Sequence, residues 1–283
     1  MPLILDHVTK VYNADTESPV RALEDVSLTI PEGQFIGLIG HTGSGKSTLV
    51  QHLNALMTPD SGSIYFNGKD ISDREFDKKE LRKHVGLVFQ YPEHQLFESD
   101  VFKDVSFGPT NMGMNKVEVG KAVFDALRMV NFPEELYTSS VFELSGGQKR
   151  RAAIAGVLAM KPDYLILDEP TAGLDPTGRT EILDMIADLH KTAGITIILV
   201  SHSMEDVARY VERVLVMDHG RVVYDGTPRE VFSHDKKLAE MGLDIPEPSK
   251  ITKALNEAGL AVDTGVLTVE EACNSIYEAI KRR

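Results

Sequence analysis

Cysteine is almost missing: Cys273 stands alone among 283 residues, which excludes a disulfide framework. No run of about 18 or more apolar residues occurs, so no segment is expected to cross a bilayer as a helix. Any work done on a membrane would need another chain for the crossing. Positive charge is scarce as well. Lys and Arg number 30 against 43 Asp and Glu, a net charge of -13. That balance argues against wrapping a nucleic-acid backbone, which requires a basic surface. Met1-Pro2-Leu3 is not followed by a basic stretch and an apolar run, so no secretion signal is expected. Internal repeats with a period of about 20 to 50 residues are absent, and so are low-complexity segments. The remainder is ordinary for a folded chain, 42% hydrophobic and 26% charged. Its length suits one large domain or two small ones.

Short apolar runs at Phe35–Ile39, Val85–Phe89, Tyr164–Leu167 and Thr196–Val200 read as strands buried on both faces. Helical patterns lie between them, such as Lys46–Met57 with Leu49, Val50, Leu53 and Leu56 on one face. Strands alternating with helices predict an α/β fold whose parallel sheet has right-handed crossovers. Ser63–Phe66 before Asn67-Gly68, and Arg213–Met217 before His219-Gly220 and Arg221–Tyr224, predict antiparallel hairpins. From about Tyr91 to Lys161 the pattern is helical, an insertion in the sheet order with a final helix from about Lys149 to Met160. Thr227-Pro228-Arg229-Glu230 carries a capping box with proline at the first helical position. Beyond it Pro246 and Pro248 break the chain, Ser249 is a candidate cap for a helix ending near Gly259, and Thr268 with Glu271 starts a last helix. That helix places Val269, Ala272, Cys273, Ile276 and Ile280 on one face. A main domain over 1–230, with a helical subdomain at about 91–161, and a small C-terminal extension over 231–283 are therefore expected.

Gly40-His41-Thr42-Gly43-Ser44-Gly45-Lys46-Ser47-Thr48 fits G-x-x-x-x-G-K-[ST], after a strand and at the start of a helix, which is the context the pattern needs. Glycines let backbone N–H groups turn inward around phosphate oxygens, and the helix start adds the positive end of its dipole. Lys46 is placed to reach the outer phosphates and the Ser47 hydroxyl to ligate Mg²⁺. A glycine-rich turn that only caps a helix is the simpler alternative, and the strand and helix around it count against that.

Tyr164-Leu165-Ile166-Leu167-Asp168-Glu169 is an apolar strand ending in two acids. A carboxylate at the C-terminal end of a parallel strand points into the ligand crevice. Asp168 is the candidate to hold Mg²⁺, directly or through water, and Glu169 to polarise the attacking water. A small GTPase is disfavoured, because no Asn-Lys-x-Asp stretch follows the loop.

Leu144-Ser145-Gly146-Gly147-Gln148 is a second glycine-rich helix start, suited to a second anion. Together with the two motifs above it closely resembles the signature of the ATP-binding cassette (ABC) ATPases, over about residues 3–230. The resemblance implies a P-loop NTPase fold with an antiparallel β subdomain and a helical subdomain, and ATP with Mg²⁺ as its ligands. It implies that Tyr12 stacks on adenine and that Gln90 links Mg²⁺ and the γ-phosphate to the transport partner. Ala172-Gly173-Leu174-Asp175 would touch the opposing subunit, and His202 would contact the γ-phosphate. In such ATPases the phosphate loop of one subunit faces the signature of another, so each γ-phosphate would lie between Lys46 and His202 of one chain and Ser145 and Gly147 of the next.

Tyr91-Pro92-Glu93-His94-Gln95-Leu96-Phe97 and the tract Asp104 to Gly113 are similar to those of ATPases in energy-coupling factor (ECF) transporters and their cobalt or nickel relatives. The stretches His41-Thr42-Gly43, Gly147 to Arg151 and Asp168 to Gly173 resemble the second of the two paired ECF ATPases. This implies a peripheral subunit on the cytoplasmic side of the cell membrane. Its implied partners are a second homologous ATPase, a transmembrane coupling subunit and a substrate-binding membrane subunit, with vitamins or other micronutrients as cargo. Leu96 and Phe97 are expected partly in a coupling groove, and the C-terminal extension is implied to hold two ATPases together, packing of its helical faces within the chain alone being the alternative. A soluble ABC ATPase acting on nucleic acid or a protein assembly is the competing reading, and a scaffold that binds ATP without turnover a third. The acidic charge and the tract after Gln90 oppose the former, and Glu169 with His202 the latter.

Overall fold

Strands whose side chains are buried on both faces lie at the centre of the protein, and the two faces feed two separate apolar cores. The computed structural model describes residues 2–73 and 75–282. In chain order the elements are β1 (Leu3–Tyr12), β2 (Val20–Ile30), β3 (Phe35–Gly40), α1 (Lys46–Leu53), β4 (Ser61–Phe66), β5 (Lys69–Asp70), α2 (Lys78–His84), β6 (Val85–Val88), α3 (Val101–Asn111), α4 (Lys116–Met129) and α5 (Gly146–Leu158). There follow β7 (Tyr164–Asp168), α6 (Pro176–Ala193), β8 (Thr196–Val200), α7 (Met204–Tyr210), β9 (Arg213–Asp218), β10 (Arg221–Gly226), α8 (Pro228–Phe232), α9 (Asp235–Glu240), α10 (Glu247–Glu257) and α11 (Val269–Lys281). The main sheet runs β10-β9-β3-β8-β7-β6, and the second runs β2-β1-β4-β5. All pairings from β9 to β6 are parallel, whereas β10 is antiparallel to β9 and the second sheet is antiparallel throughout.

The period-two alternation of strands divides the cores. Phe35 and Ile39 of β3, Leu165 and Leu167 of β7, and Ile197 and Leu199 of β8 face one core together with Val123 of α4, Ile154 of α5 and Ile186 of α6. Their neighbours Ile36, Leu38, Ile166, Ile198 and Val200 face the other, against Leu5 and Leu28 of the second sheet and Leu49 and Leu53 of α1. Helices therefore cover one side of the main sheet, and α1 with the antiparallel sheet covers the other. Val231, Phe232, Leu238, Leu243, Ile245 and Leu267 join the helical-side core, which anchors the C-terminal helices to it. Among the described residues no helix is long and apolar enough to cross a membrane.

Both expected hairpins form, and Thr227 and Glu230 close the expected capping box. Several boundaries differ from expectation. The first helix stops at Leu53, not Met57, because Asn54 turns its amide onto the Val85 carbonyl and Ala55 adopts a positive φ of 52°. α5 starts at Gly146 rather than Lys149, since Ser145 already caps it. Ser249 caps nothing: α10 begins at Glu247 after Pro246, and the buried Ser249 hydroxyl donates to the Val266 carbonyl at 2.6 Å. In α11, capped by Thr268 as expected, Ala272 and Ala279 are buried while Val269, Cys273 and Ile280 face solvent. The apolar stripe read from the sequence thus meets the rest of the chain only in part.

Candidate active site

The phosphate loop leaves β3 and enters α1 through glycines with positive φ, which L side chains rarely adopt. Gly45, the residue before α1, has φ of 105°, and a Cβ there would lie 2.3 Å from the Ala22 carbonyl. Gly43, with φ of 85°, opens onto free space instead. No side chain caps the start of α1, so its first-turn N–H groups keep the positive end of the helix free for an anion. Ser44 is buried and its hydroxyl has no partner. Lys46 is also buried, and its ammonium donates to the carbonyls of Gly40 at 2.7 Å and His41 at 3.0 Å. Burial lowers the Lys46 pKa, and the charges of Glu169 and Asp168 oppose the shift.

Three further strands of the main sheet deliver the rest of the cluster from their C-terminal ends. β7 ends in Asp168, only 9% exposed, whose carboxylate accepts the Ser47 hydroxyl at 3.3 Å. Burial pushes the Asp168 pKa up, and the neighbouring Glu169 charge adds to that; Ser47, Lys46 and His202 pull the other way. Glu169 follows in the left-handed region, φ 49°, with its N–H on the Val200 carbonyl at 3.1 Å. Such backbone costs about 1–3 kcal/mol for a non-glycine residue and persists where surrounding contacts enforce it. Here it swings the carboxylate between two partners. Gln90, just past β6, donates its amide to Oε2 at 2.9 Å, and His202, just past β8, places Nε2 2.8 Å from Oε1.

Lys46, Ser47, Gln90, Asp168, Glu169 and His202 are thus brought together as the sequence led one to expect, with Gln90 and His202 both resting on Glu169. Tyr12 sits beside the same helix: its hydroxyl lies 3.3 Å from the Thr48 hydroxyl and donates to Met57 Sδ at 3.0 Å. Ser145 and Gln148 bond to one another rather than to this cluster. Ser145 Oγ accepts from Gln148 N at 3.3 Å, and Gln148 Oε1 accepts from Ser145 N at 2.9 Å, a closed capping box. Asp175 spends its carboxylate on the start of α6, accepting from Gly178 N at 3.3 Å. A cleft of about 450 Å³ opens in front of Glu169 and His202, walled by Ala172, Gly173 and Ser203.

Sequence reasoning missed the roles of Arg150 and Glu93. Arg150 is 1% exposed, and its guanidinium grips both oxygens of Glu93 at 2.9 Å while donating to the Ala172 carbonyl at 3.0 Å. One buried fork therefore joins the segment after Gln90, the helix after Ser145 and the loop after Glu169. The available signal was spacing, because Arg150 lies four residues before Ile154 on the buried face of α5. A second, larger groove of about 820 Å³ lies between the main sheet and the helical insertion, lined by Leu56, Phe89, Leu96, Phe97, Phe107 and Met112 among others. Phe97 and Phe107 meet edge to face at 4.8 Å, and each is about half exposed.

Comparison with known proteins gives a consistent picture. The family model for the ABC transporter matches residues 23–172. A protein of Caldanaerobacter subterraneus, the energy-coupling factor transporter ATP-binding protein EcfA2, is 49% identical over 99% of this chain and 98% of its own length. The protein of that name from Symbiobacterium thermophilum is 51% identical over 100% of this chain and 98% of its own. Among solved structures, cbiO1 of Clostridium perfringens, part of the ABC transporter complex cbiONQ, superposes with a TM-score of 0.75 at 38% identity, covering 90% of this chain and 98% of that one. A dimeric ATP-binding cassette in a post-hydrolysis state with ADP and Pi gives 0.70 at 29% identity, covering 80% of this chain and 98% of that one.

Proposed function

Because the chain belongs to the ABC transporter family, as an ATP-binding cassette ATPase with a P-loop NTPase fold, we propose that it powers an energy-coupling factor transporter that takes up vitamins or other micronutrients. The observation that carries this reading is the Glu169 carboxylate, held at 2.8 and 2.9 Å by His202 and Gln90 beside the buried Lys46 and Asp168 pair.

The loop from Gly40 to Thr48 binds the phosphates, Lys46 leaves its loop carbonyls for the outer phosphate oxygens, and Tyr12 packs on the base. Glu169 takes the proton of the attacking water as its oxygen bonds to the γ-phosphorus. The bond to the β–γ bridging oxygen breaks, leaving ADP and phosphate. Gln90 holds the Glu169 carboxylate in line, and His202, which rests on the other carboxylate oxygen, exchanges that contact for the γ-phosphate when ATP binds. Mg²⁺ fits the oxygen donors present: the Ser47 hydroxyl and the Asp168 carboxylate already lie 3.3 Å apart, with the Gln90 amide oxygen as a further candidate. The chemistry such a cation supplies is neutralisation of charge on the phosphate oxygens.

Ser145, Gly146, Gly147 and Gln148 serve a nucleotide bound to another ATPase subunit, a homologous partner in a heterodimer. Two observations support partners of this kind. The groove beside Phe97 exposes aromatic surface and buries the Gln95 amide nitrogen without an acceptor, which suits a helix of a transmembrane coupling subunit. In the extension over 231–283, Ile251, Val269, Tyr277 and Ile280 are more than half exposed, an apolar surface suited to holding two ATPases together. A substrate-binding membrane subunit completes the assembly, and the chain sits peripherally on the cytoplasmic face of the membrane. Affinity purification from detergent-solubilised membranes tests this reading. A second ATPase and a multi-span protein are expected to co-purify; recovery of ribosomes or DNA-repair proteins in their place would contradict it.

A further inference from the structure

The turn Asp218-His219-Gly220 joins β9 to β10 and leans on the phosphate loop, with Gly220 N donating to the Ser44 carbonyl at 2.9 Å. Beside that contact, His41 of the loop aims Nε2 at Asp218 Oδ1, 3.1 Å away, and His219 Nε2 lies 3.8 Å from the same oxygen. The two imidazole rings are 5.2 Å apart between centroids. One donor atom from each of the three residues falls within 4.8 Å of the other two.

The second ring nitrogen of His41 gives this cluster its meaning. His41 Nδ1 lies 2.8 Å from the Thr42 carbonyl. A carbonyl oxygen can only accept, so Nδ1 carries a hydrogen. In the neutral ring the Nε2 lone pair then faces a carboxylate oxygen, acceptor against acceptor. Either a second proton or a shared cation relieves that opposition. A histidine whose other N–H is tied to a backbone carbonyl, with its free nitrogen turned to a carboxylate, has the outer-shell arrangement of a metal ligand. Charge around it is permissive: among the described residues Asp218 pairs with no Lys or Arg, and Arg221, next in the hairpin, is occupied by Glu24 at 2.9 Å. Ligand bonds of about 2.0–2.2 Å place neighbouring ligand atoms about 3.4 Å apart. His41 and Asp218 are already near that spacing, and His219, with its side chain 85% exposed, is free to close on them.

We propose that His41, Asp218 and His219 form a binding site for a borderline divalent cation such as Zn²⁺, Co²⁺ or Ni²⁺, separate from the oxygen-lined position beside Ser47 and Asp168. Two imidazoles and one carboxylate suit these ions, whereas Mg²⁺ prefers oxygen ligands alone. The bound ion would fasten the phosphate loop to the β9–β10 hairpin. Untagged full-length protein, stripped with a chelator and free of nucleotide, is to be titrated with Co²⁺ by visible absorption and with Zn²⁺ by calorimetry, in millimolar Mg²⁺. At about pH 7.5, where free imidazoles are neutral, one ion should bind with micromolar affinity or better. His219→Ala, an exposed change that leaves folding intact, and Asp218→Asn should each weaken binding about tenfold or more. Excess chelator should remove the ion and return the metal-free spectrum. Affinity no better than millimolar, or wild-type affinity in either variant, would overturn the assignment.

Discussion

The two glycine-rich helix starts of this chain are finished differently. At the first, the loop before α1 has no capping side chain, and four strand ends bring up Lys46 on its loop carbonyls, the Ser47–Asp168 contact, and Glu169 held by Gln90 and His202. At the second, Ser145 and Gln148 satisfy one another, and a methyl group added at Gly146 or Gly147 would touch nothing within 4 Å. One start is left uncapped beside a buried lysine; the other closes its own cap and leaves open space at its two glycines. The difference teaches that two similar glycine-rich helix starts of one chain are prepared for unlike roles, as the proposed sharing of a nucleotide between subunits, half a site from each, would require.

The largest expected effect breaks the first half alone. Glu169→Gln should lower phosphate release from ATP by about a thousandfold, the scale of a lost general base, while nucleotide binding persists; turnover near wild type would remove Glu169 from that role. Gly147→Glu strikes the other half. It should cut hydrolysis by roughly a hundredfold, the scale of losing a positioned group, yet leave nucleotide affinity of the isolated chain and its melting temperature nearly unchanged, because a Cβ at this position meets nothing within 4 Å. Loss of nucleotide binding in the isolated variant would merge the two halves into one. Glu93→Gln tests the link between them. Removing one partner of a buried ion pair costs about 3 kcal/mol, so the melting temperature should fall by roughly 6–10 °C. A fall of under about 1 °C would show that the Arg150 fork bears little of the structure.

The smallest effect has the opposite sign. The pKa of Asp168 is raised by burial, so its charged form is disfavoured in the folded state. That penalty is present above the folded pKa and disappears as pH drops below the ordinary carboxylate range. Asp168→Asn should therefore stabilise the nucleotide-free protein at neutral pH, by about 2 °C, with the advantage shrinking as pH falls through the raised folded pKa and gone below about 4. Thermal melts across pH check this, and a destabilised Asp168→Asn at pH 7 would contradict it.

Much of this comparison was legible in the sequence, because local chemistry writes both helix starts. Gly43, Gly45 and Lys46 must stand at their spacing for a loop to wrap an anion, and an apolar strand ending in Asp168-Glu169 can end only at the crevice. The rest depends on distant partners. Nothing around Asn54 announces that its amide will meet Val85 and end α1 early. The left-handed backbone of Glu169 follows from its bond to Val200 and its grip on Gln90 and His202, positions scattered along the chain. Arg150 reads as one more charge in a basic run until Glu93 and Ala172 close around it. For α11 the stripe was legible as apolar while its exposure stayed open, since a solvent-facing apolar stripe has the same periodicity as a buried one.

A cryo-EM map of the Glu169→Gln protein, trapped with ATP in the assembly purified from membranes, tests the two-halves account most directly. Each triphosphate bound to Lys46 and Ser47 should be capped by a serine–glycine helix start from a different subunit, and Ser145 and Gly147 of this chain should touch the nucleotide of its neighbour. Nucleotide enclosed by this chain alone, with residues 145–148 turned to solvent, would contradict it.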